Sequence, residues 1–170
     1  MKTIPSLLLL LLAMMAPCLL SCSDDDDPVV DEVWKTANEE AFNSLTFDPS
    51  YKRLSSPSNY GHIYYKVLRN GTGLKPIYYT STVTVYYTGS LIDGTVFDKA
   101  EYPDKLPFET AVTDVIEGWR TALQYMHEGD RWEIWIPQEL GYGTVAKSAI
   151  PAYSTLHFEM EVVKIAGIEE

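Results

Sequence analysis

The sequence predicts an α+β fold, in which an antiparallel sheet packs on one short helix and a second helix precedes the sheet. Three segments, residues 82–88, 131–136 and 156–162, alternate apolar and polar side chains, as half-buried strands do. Residues 114–126 instead carry apolar side chains at helical spacing, and so do residues 31–45. A single short helix among several strands favours antiparallel pairing, because parallel strands need a long crossover, usually a helix, between each pair.

Residues 1–21 are predicted to be an export signal peptide. Lys2 precedes an apolar run over residues 4–20, and acidic rather than basic residues follow the run. The run also contains two prolines, so a membrane-spanning helix is the weaker interpretation. We therefore expect the segment to be cleaved from the mature chain.

Residues 19–22, LLSC, resemble the lipobox of bacterial lipoproteins, in which the cysteine after a small residue receives a diacylglyceryl group. Cys18 leaves with the signal, and a single unmodified thiol would be unusual in an exported chain. The sequence therefore predicts lipidation of Cys22 and an outer-membrane lipoprotein of the cell envelope, facing the periplasm or the cell surface. The alternative is an ordinary secretory signal that leaves Cys22 as a free thiol.

Residues 22–30 are predicted to form an acidic tether. They include four consecutive aspartates at positions 24–27, whose mutual repulsion keeps a chain extended. As a second interpretation, the same run resembles the surface-export signal of some bacterial lipoproteins. The whole chain has 13 basic and 24 acidic side chains and a formal net charge of -11, so nucleic acid is not expected as a partner.

Residues 31–60 are predicted to form a helix followed by a loop. The apolar face of the helix over residues 31–45 consists of Val33, Trp34, Ala37, Ala41, Phe42 and Leu45. The pair Asp48 and Pro49 and the serine- and proline-rich residues 55–59 then interrupt regular structure. A loop is therefore expected over the rest of this segment.

Residues 61–166 are predicted to form the folded domain, which begins with a strand over residues 61–69. Alternation in the later strands separates an inward face from an outward face. The inward residues are Val83, Val85, Tyr87, Trp132, Ile134, Ile136, Leu156, Phe158, Met160 and Val162. The outward residues include Arg131, Glu133, Trp135, His157, Glu159 and Glu161. Tyr87 is therefore expected to point the same way as the buried valines of its strand.

The predicted helix over residues 114–126 has an apolar stripe and a candidate start signal. The stripe consists of Ile116, Trp119, Leu123 and Met126. Asp114 followed by Glu117 matches a capping box, which would place Ile116 in the first turn. Because first-turn amides have no partner inside the helix, the N–H of Ile116 is expected to be able to hold a carbonyl of a bound molecule.

Several kinds of chemistry are not expected. The histidines at positions 62, 127 and 157 lack metal-ligand spacing and a neighbouring carboxylate pattern, so each is expected to be a surface residue. The sequence has no Gly-x-Ser-x-Gly, no phosphate-binding glycine loop and no HExxH motif, and Cys22 is the one cysteine after the signal. Covalent, metal-based and phosphoryl-transfer catalysis are therefore disfavoured, and no metal or cofactor is expected.

Five segments follow one another in the order and spacing of a known family. Residues 83–98, VTVYYTGSLIDGTVFD, are similar to the pattern V-x-V-x-Y-x-G-x-L-x-D-G-x-x-F-D of FKBP-type peptidyl-prolyl cis-trans isomerases. Residues 115–119 are similar to the V-I-x-G-W of that family, and further similar segments lie at residues 129–132, 136–143 and 150–162. The resemblance implies an antiparallel, FKBP-like half-barrel sheet wrapped on the short helix.

The resemblance also implies a pocket that binds proline-containing polypeptide segments. Its catalytic residues would be Tyr87, Phe97, Asp98, Ile116, Trp119 and Tyr142. Its substrate-binding residues would be Leu106, Phe108, Val115, Ile150 and Phe158. Its polar groups would be the Asp98 carboxylate, the Tyr142 hydroxyl and the Ile116 N–H. Leu106 stands where many members carry an aromatic residue, and residues 144–149 have their own sequence.

The activity implied by the resemblance is faster isomerisation of X-Pro bonds in exported proteins, with tacrolimus-like macrolides as further ligands. Inward aromatic residues usually form plain core, but a carboxylate directly after Phe97 at a buried edge is unfavourable unless it is used, so Asp98 favours a site. The alternative is a chaperone or interaction module that binds proline segments, with incidental catalysis. Trp135 and the helix over residues 31–45 would then form contact surfaces, or the helix would form a homodimer.

Overall fold

The computed structural model describes residues 31–166. In chain order, its elements are α1 (Glu32–Ser44), β1 (Lys52–Ser55), β2 (His62–Arg69), β3 (Thr82–Ser90), β4 (Val96–Ala100), β5 (Phe108–Ala111), α2 (Glu117–Leu123), β6 (Arg131–Ile136) and β7 (Leu156–Ala166). The predicted signal peptide, tether and lipidation site at Cys22 lie outside the described residues. Within residues 31–166, no helix is long and apolar enough to span a membrane.

The strands form one antiparallel sheet in the order β1-β2-β6-β7-β3-β4, with β5 also paired to β3. α2 packs closely on this sheet, because a Cβ on Gly118 would lie only 2.4 Å from the side chain of Ile136. This architecture confirms the predicted α+β class, with an antiparallel sheet, one short helix against it and a helix at the N-terminal end.

The predicted inward faces of β3, β6 and β7 form the core. Their fully buried members are Val83, Val85, Ile134, Ile136, Leu156, Met160 and Val162. Leu123 of α2 and Met126, just after it, cover the same core and are also buried. Removing this apolar area from water is the main contribution to stability. Tyr87 follows the same parity but is half-buried, because it borders a cavity.

α1 is docked on the domain through a buried asparagine. The helix starts where the Asp31 side chain accepts a hydrogen bond from the Trp34 N–H at 3.0 Å. Asn38 lies outside the predicted apolar face, yet it is fully buried, and its Oδ1 accepts the N–H of Thr155 at 2.8 Å. Val33 is 82% exposed, so the predicted face is wrong at that position. The helix therefore packs on the segment just before β7.

The segment between α1 and β2 contains a strand that the sequence does not predict. A 3-10 turn over Leu45–Phe47 extends α1, and β1 then pairs with the first half of β2. The loop prediction is therefore wrong for Lys52–Ser55. Four residues with one half-buried apolar side chain, Leu54, are too short for an alternation signal, so backbone pairing with β2 forms this strand.

α2 begins later and ends earlier than predicted. Asp114 lies in a preceding 3-10 turn, and Ile116 is the N-cap residue, without a side-chain cap. The predicted capping box is wrong because Asp114 is not the N-cap and Glu117 is the first residue of the helix. The Glu117 carboxylate instead accepts a hydrogen bond from Ser56 Oγ at 2.6 Å. The helix ends at Leu123.

The outer face of β6 and β7 carries a cluster of Tyr51, Glu133, Trp135 and His157, called here the outer-face cluster. Glu133 Oε1 accepts a hydrogen bond from the Tyr51 hydroxyl at 2.5 Å and lies 3.1 Å from His157 Nε2. Trp135 packs over His157 with ring centroids 4.4 Å apart. His157 therefore lies on the outer face as predicted, but it has a carboxylate neighbour that the sequence does not predict. His62 is half-buried against an α1 phenylalanine, so its predicted surface location is wrong.

Candidate active site

A cavity of about 250 Å³ opens between the start of α2 and strands β3, β4, β5 and β7. Its lining residues are Tyr87, Phe97, Asp98, Phe108, Asp114, Val115, Ile116, Trp119, Tyr142 and Phe158. Apart from Asp114, each of them is among the residues that the sequence predicts for a pocket. Residues that are far apart in the sequence thus come together around one apolar space.

The floor and walls of the cavity are aromatic rings packed edge to face. Trp119 is buried, and its ring lies 5.0 Å from that of Tyr87 and 5.2 Å from that of Phe158, with interplanar angles of 81° and 83°. Phe97 meets Phe158 at 5.5 Å and 85°. Edge-to-face contacts are favourable for aromatic pairs, so the rings stabilise one another around the cavity.

A glycine in β3 leaves room for these rings. A Cβ on Gly89 would lie 2.6 Å from ring atoms of both Phe97 and Phe158. Such a distance is far below van der Waals contact, so any side chain here would displace the rings. Tyr87 lies two residues earlier on the same face of the strand. Tyr87 therefore lines the cavity, and Gly89, two residues later, leaves space for the neighbouring rings.

Asp98 is held at the cavity by hydrogen bonds, not by burial. The Tyr87 hydroxyl donates to Oδ2 at 2.5 Å, and the Lys99 N–H donates to Oδ1 at 2.8 Å. The side chain is exposed, which contradicts the predicted buried edge, because β4 is the last strand of the sheet and one of its sides faces solvent. The predicted argument from unfavourable burial of Asp98 therefore fails. The position of Asp98 at the cavity and its hydrogen bonds are the observations that favour a site.

Two tyrosine hydroxyls at the cavity are held in their protonated form. Burial, the hydrogen bond to Asp98 and the negative charge of Asp98 all raise the pKa of Tyr87. Burial and then the charge of Asp98 raise the pKa of Tyr142. Because a protonated hydroxyl can donate, both groups are hydrogen-bond donors throughout the neutral range.

Two donors at the cavity have no partner within residues 31–166. Tyr142 is 37% exposed, and its hydroxyl makes no hydrogen bond in this part of the chain. The N–H of Ile116 likewise has no acceptor there. Ile116 occupies the N-cap instead of the predicted first turn, and the N-cap amide also lacks a partner inside the helix.

Two residues predicted to bind substrate do not line the cavity. Leu106 is 88% exposed in the loop between β4 and β5, and Ile150 is buried in the core. The hydrogen bond between Tyr87 and Asp98 is a feature that the sequence reasoning missed. Two signals could have revealed it, namely the inward parity of Tyr87 and the turn before β4, which pairs β3 with β4 and sets Gly89 opposite Asp98.

Comparison with known protein families points to the same part of the chain. A family model described as FKBP-type peptidyl-prolyl cis-trans isomerase matches residues 76–163, more than half of the sequence. The chain belongs to this family. Every residue that lines the cavity falls inside the matched FKBP segment, whereas α1, β1 and β2 precede it.

Curated relatives and a solved structure agree with this assignment. The FKBP-type 22 kDa peptidyl-prolyl cis-trans isomerase of Escherichia coli is 47% identical over 102 residues, which are 59% of this chain and 48% of the relative. The outer membrane protein MIP of Legionella longbeachae is 44% identical over 102 residues, 59% of this chain and 43% of the relative. A crystal structure of a peptidyl-prolyl cis-trans isomerase from Pseudomonas syringae pv. tomato is similar at a TM-score of 0.68 and 31% identity, covering 80% of this chain and 96% of that one. The chain spans about half the length of the curated relatives it matches.

Proposed function

We propose that the protein catalyses cis-trans isomerisation of the peptide bonds that precede proline in exported polypeptides. The uncatalysed barrier is about 18–20 kcal/mol, because rotation breaks amide resonance. The reaction needs no nucleophile, only a surface that binds the twisted amide better than the planar one. The observation that carries the proposal is the aromatic cavity, which has a carboxylate and two free donors beside it.

The apolar lining would seat the proline ring. Trp119 would form the floor, with Phe97 and Phe158 beside it and Phe108 and Val115 completing the walls. An apolar seat suits the bond before proline because the proline nitrogen carries no hydrogen and leaves no unsatisfied donor when it is buried.

The polar groups would hold the substrate backbone on both sides of the proline. The Ile116 N–H and the Tyr142 O–H are donors and suit the carbonyl oxygens of flanking residues. A carboxylate oxygen only accepts hydrogen bonds, so Asp98 would act on the carbonyl carbon of the rotating bond. When the bond twists, the nitrogen no longer shares its lone pair with that carbon, which becomes more electron-poor and attracts the carboxylate more strongly.

Exclusion of water by the floor would add a second contribution. The planar amide owes part of its stability to a charge-separated resonance form, which water stabilises. Over the rings of Trp119 and Phe158 that hydration is removed, so the planar form is disfavoured relative to the twisted one. Only such a difference between ground state and transition state raises the rate.

A refolding reaction limited by proline isomerisation tests the proposal. We expect the purified protein to accelerate it and Phe97→Ala to lower kcat/KM about tenfold, since the proline ring loses a wall that orients it. Phe47→Ala is a matched control, because Phe47 is 87% exposed and does not line the cavity. Failure of the wild type to accelerate refolding would refute the proposal, and full activity of Phe97→Ala would refute the role of the cavity. Suppression of aggregation that survives in an inactive Phe97→Ala would favour the binding module over the enzyme.

We also propose that the cavity binds tacrolimus-like macrolides. The same apolar lining and the free donors at Ile116 and Tyr142 support this proposal. Isothermal titration should detect binding to the wild type and a weaker signal for Phe97→Ala. Equal binding by the two proteins would place the macrolide elsewhere.

We further propose that the chain consists of a signal peptide (1–21), an acidic tether (22–30), an N-terminal segment with α1, a loop and β1 (31–60) and an isomerase domain (61–166). A lipid on Cys22 would hold the domain at the outer membrane. One relative, from Legionella longbeachae, is named an outer membrane protein, which supports a location in the cell envelope. Cys22→Ala should move the full chain out of the outer-membrane fraction and abolish incorporation of labelled fatty acid. Unchanged labelling would refute lipidation at this residue.

A further inference from the structure

In the peptide group between Val115 and Ile116, the carbonyl oxygen accepts a hydrogen bond, whereas the N–H has no acceptor within the described residues. The Arg120 Nε–H donates to the carbonyl oxygen of Val115 at 3.0 Å. The peptide bond is trans and planar, so the Ile116 N–H points away from that carbonyl. Both residues line the cavity, and the N–H has no acceptor within the described chain.

We propose that Arg120 is a positioning residue, which fixes the direction of the Ile116 N–H and strengthens it as a donor. A held carbonyl prevents the whole planar group from turning about its flanking bonds. A cationic donor on the carbonyl oxygen also draws electron density from the amide nitrogen, which makes the N–H more polar. This inference rests on the proposed function, in which the Ile116 N–H binds a substrate carbonyl.

Arg120 is itself held by Glu117 and, through Glu117, by Ser56, which precedes the residues matched by the family model. Its Nε lies 3.4 Å from the carboxylate of Glu117, and Glu117 accepts the hydrogen bond from Ser56 Oγ at 2.6 Å. The two charged side chains are 27% and 21% exposed, so solvent screens them less than it screens a fully exposed pair. Ser56 is buried between β1 and β2, before the matched residues 76–163. Ser56, which lies outside the matched region, is thus connected through the side chains of Glu117 and Arg120 to the peptide group that carries the Ile116 N–H.

Two substitutions separate the hydrogen bond of Arg120 from its charge. Arg120→Gln keeps an N–H at the position of Nε, because both nitrogen atoms are bonded to Cδ, but removes the charge. Arg120→Lys keeps the charge but has a methylene group at that position. Glutamine and lysine are good helix formers and the side chain is partly exposed, so both variants are expected to fold.

The experiment measures kcat/KM in the refolding assay together with the 15N resonance of the Ile116 amide. For Arg120→Lys we expect kcat/KM to fall about fivefold, and the Ile116 resonance to shift. For Arg120→Gln we expect kcat/KM within about twofold of the wild type and a smaller shift.

Two other outcomes would count against the proposal, and a third would count against the proposed function on which it rests. A lysine variant with wild-type kcat/KM and an unshifted Ile116 resonance would overturn it. So would losses in both variants that only follow a lower Tm. An inactive wild type would refute the proposed function, and the Ile116 resonance would then decide by itself whether Arg120 holds this peptide group.

Discussion

Two hydrogen bonds from a tyrosine hydroxyl to a carboxylate in this protein have the same length but different surroundings. At the cavity the Tyr87 hydroxyl donates to Asp98, and in the outer-face cluster the Tyr51 hydroxyl donates to Glu133, both at 2.5 Å. The first pair borders an apolar cavity, whereas the second lies on the outer face of the sheet. The chemistry of the pair alone therefore does not distinguish a site from a structural contact.

The remaining partners of the two carboxylates do distinguish them. Glu133 has further donors in Trp135 Nε1 at 3.4 Å and His157 Nε2 at 3.1 Å. Asp98 has, besides its tyrosine, only the backbone N–H of its neighbour Lys99 among the described residues. The outer-face cluster thus uses its polar groups within the protein, while polar groups at the cavity stay open to a ligand. Open polar groups beside an apolar surface, and not polar groups as such, mark the candidate site.

Among substitutions of polar groups, replacing Asp98 by asparagine should have the largest effect on activity. Asparagine keeps one oxygen, which can accept from Tyr87, so the change removes the negative charge at the cavity and the hydrogen bond from the Lys99 N–H. Because solvent screens the exposed Asp98, we expect kcat/KM to fall about tenfold, less than the 10²–10³-fold loss typical of a buried oxyanion-hole donor. The refolding assay measures this loss.

Glu133→Gln is the matched control, since it also removes one charge from a tyrosine-bound carboxylate. We expect its kcat/KM to equal that of the wild type, because Glu133 does not line the cavity. Equal losses in the two variants would mean that net charge, and not position, sets the rate. The comparison between the two pairs would then fail.

Removing a tyrosine hydroxyl should affect activity at the cavity and stability on the outer face. Tyr142→Phe removes a free donor, so we expect kcat/KM to fall about fivefold with no change in Tm. Tyr51→Phe removes the hydrogen bond to Glu133, so we expect the free energy of unfolding to fall by about 1 kcal/mol at unchanged kcat/KM. Urea unfolding and the refolding assay measure both quantities. A Tyr142→Phe variant that loses stability but keeps its rate would contradict the free donor.

Regular alternation made the fold predictable from the sequence. β3, β6 and β7 have the predicted inward and outward faces because a strand with one buried face must alternate. β1 has no such pattern and forms because its backbone pairs with that of β2. The helix start was mispredicted because Asp114 and Glu117 have the spacing of a capping box, although a 3-10 turn ends at Asp114 and Ile116 is the N-cap. Glu117 bonds instead to Ser56, 61 positions earlier, and such a contact leaves no local signal.

The candidate site was predictable where family resemblance names a residue, whereas the surroundings of such a residue depend on how the strands pair. The exposure of Asp98 and its bond to Tyr87 follow from the position of β4 at the sheet edge. Tyr51 and Glu133 are 82 positions apart, and Asn38 bonds to a residue 117 positions away. Polar contacts at such separations have no periodic signature, so sequence reasoning had no means of finding them.

The smallest expected effect concerns the stability contributed by Glu133. Burial alone would raise the pKa of Glu133, but the hydrogen bond from Tyr51, the charge of His157 and hydrogen bonds from Trp135 and His157 lower it below the ordinary value. The folded state therefore binds this proton less readily than the unfolded state. The resulting stability is present above the ordinary glutamate pKa of about 4.3 and is lost as the pH falls through the lower, folded-state value.

The wild type should exceed Glu133→Gln in free energy of unfolding by less than about 1 kcal/mol at neutral pH, because the group is partly exposed. That gap should shrink toward zero as the pH is lowered to about 3. Urea unfolding across this range measures the gap. Glu40→Gln, at an exposed position on α1, is the control and should have the same free energy of unfolding as the wild type. A gap that widens on acidification would mean that Glu133 is favoured in its protonated form. The donors of the outer-face cluster would then not stabilise its charge, and the contrast with the open carboxylate of Asp98 would no longer hold.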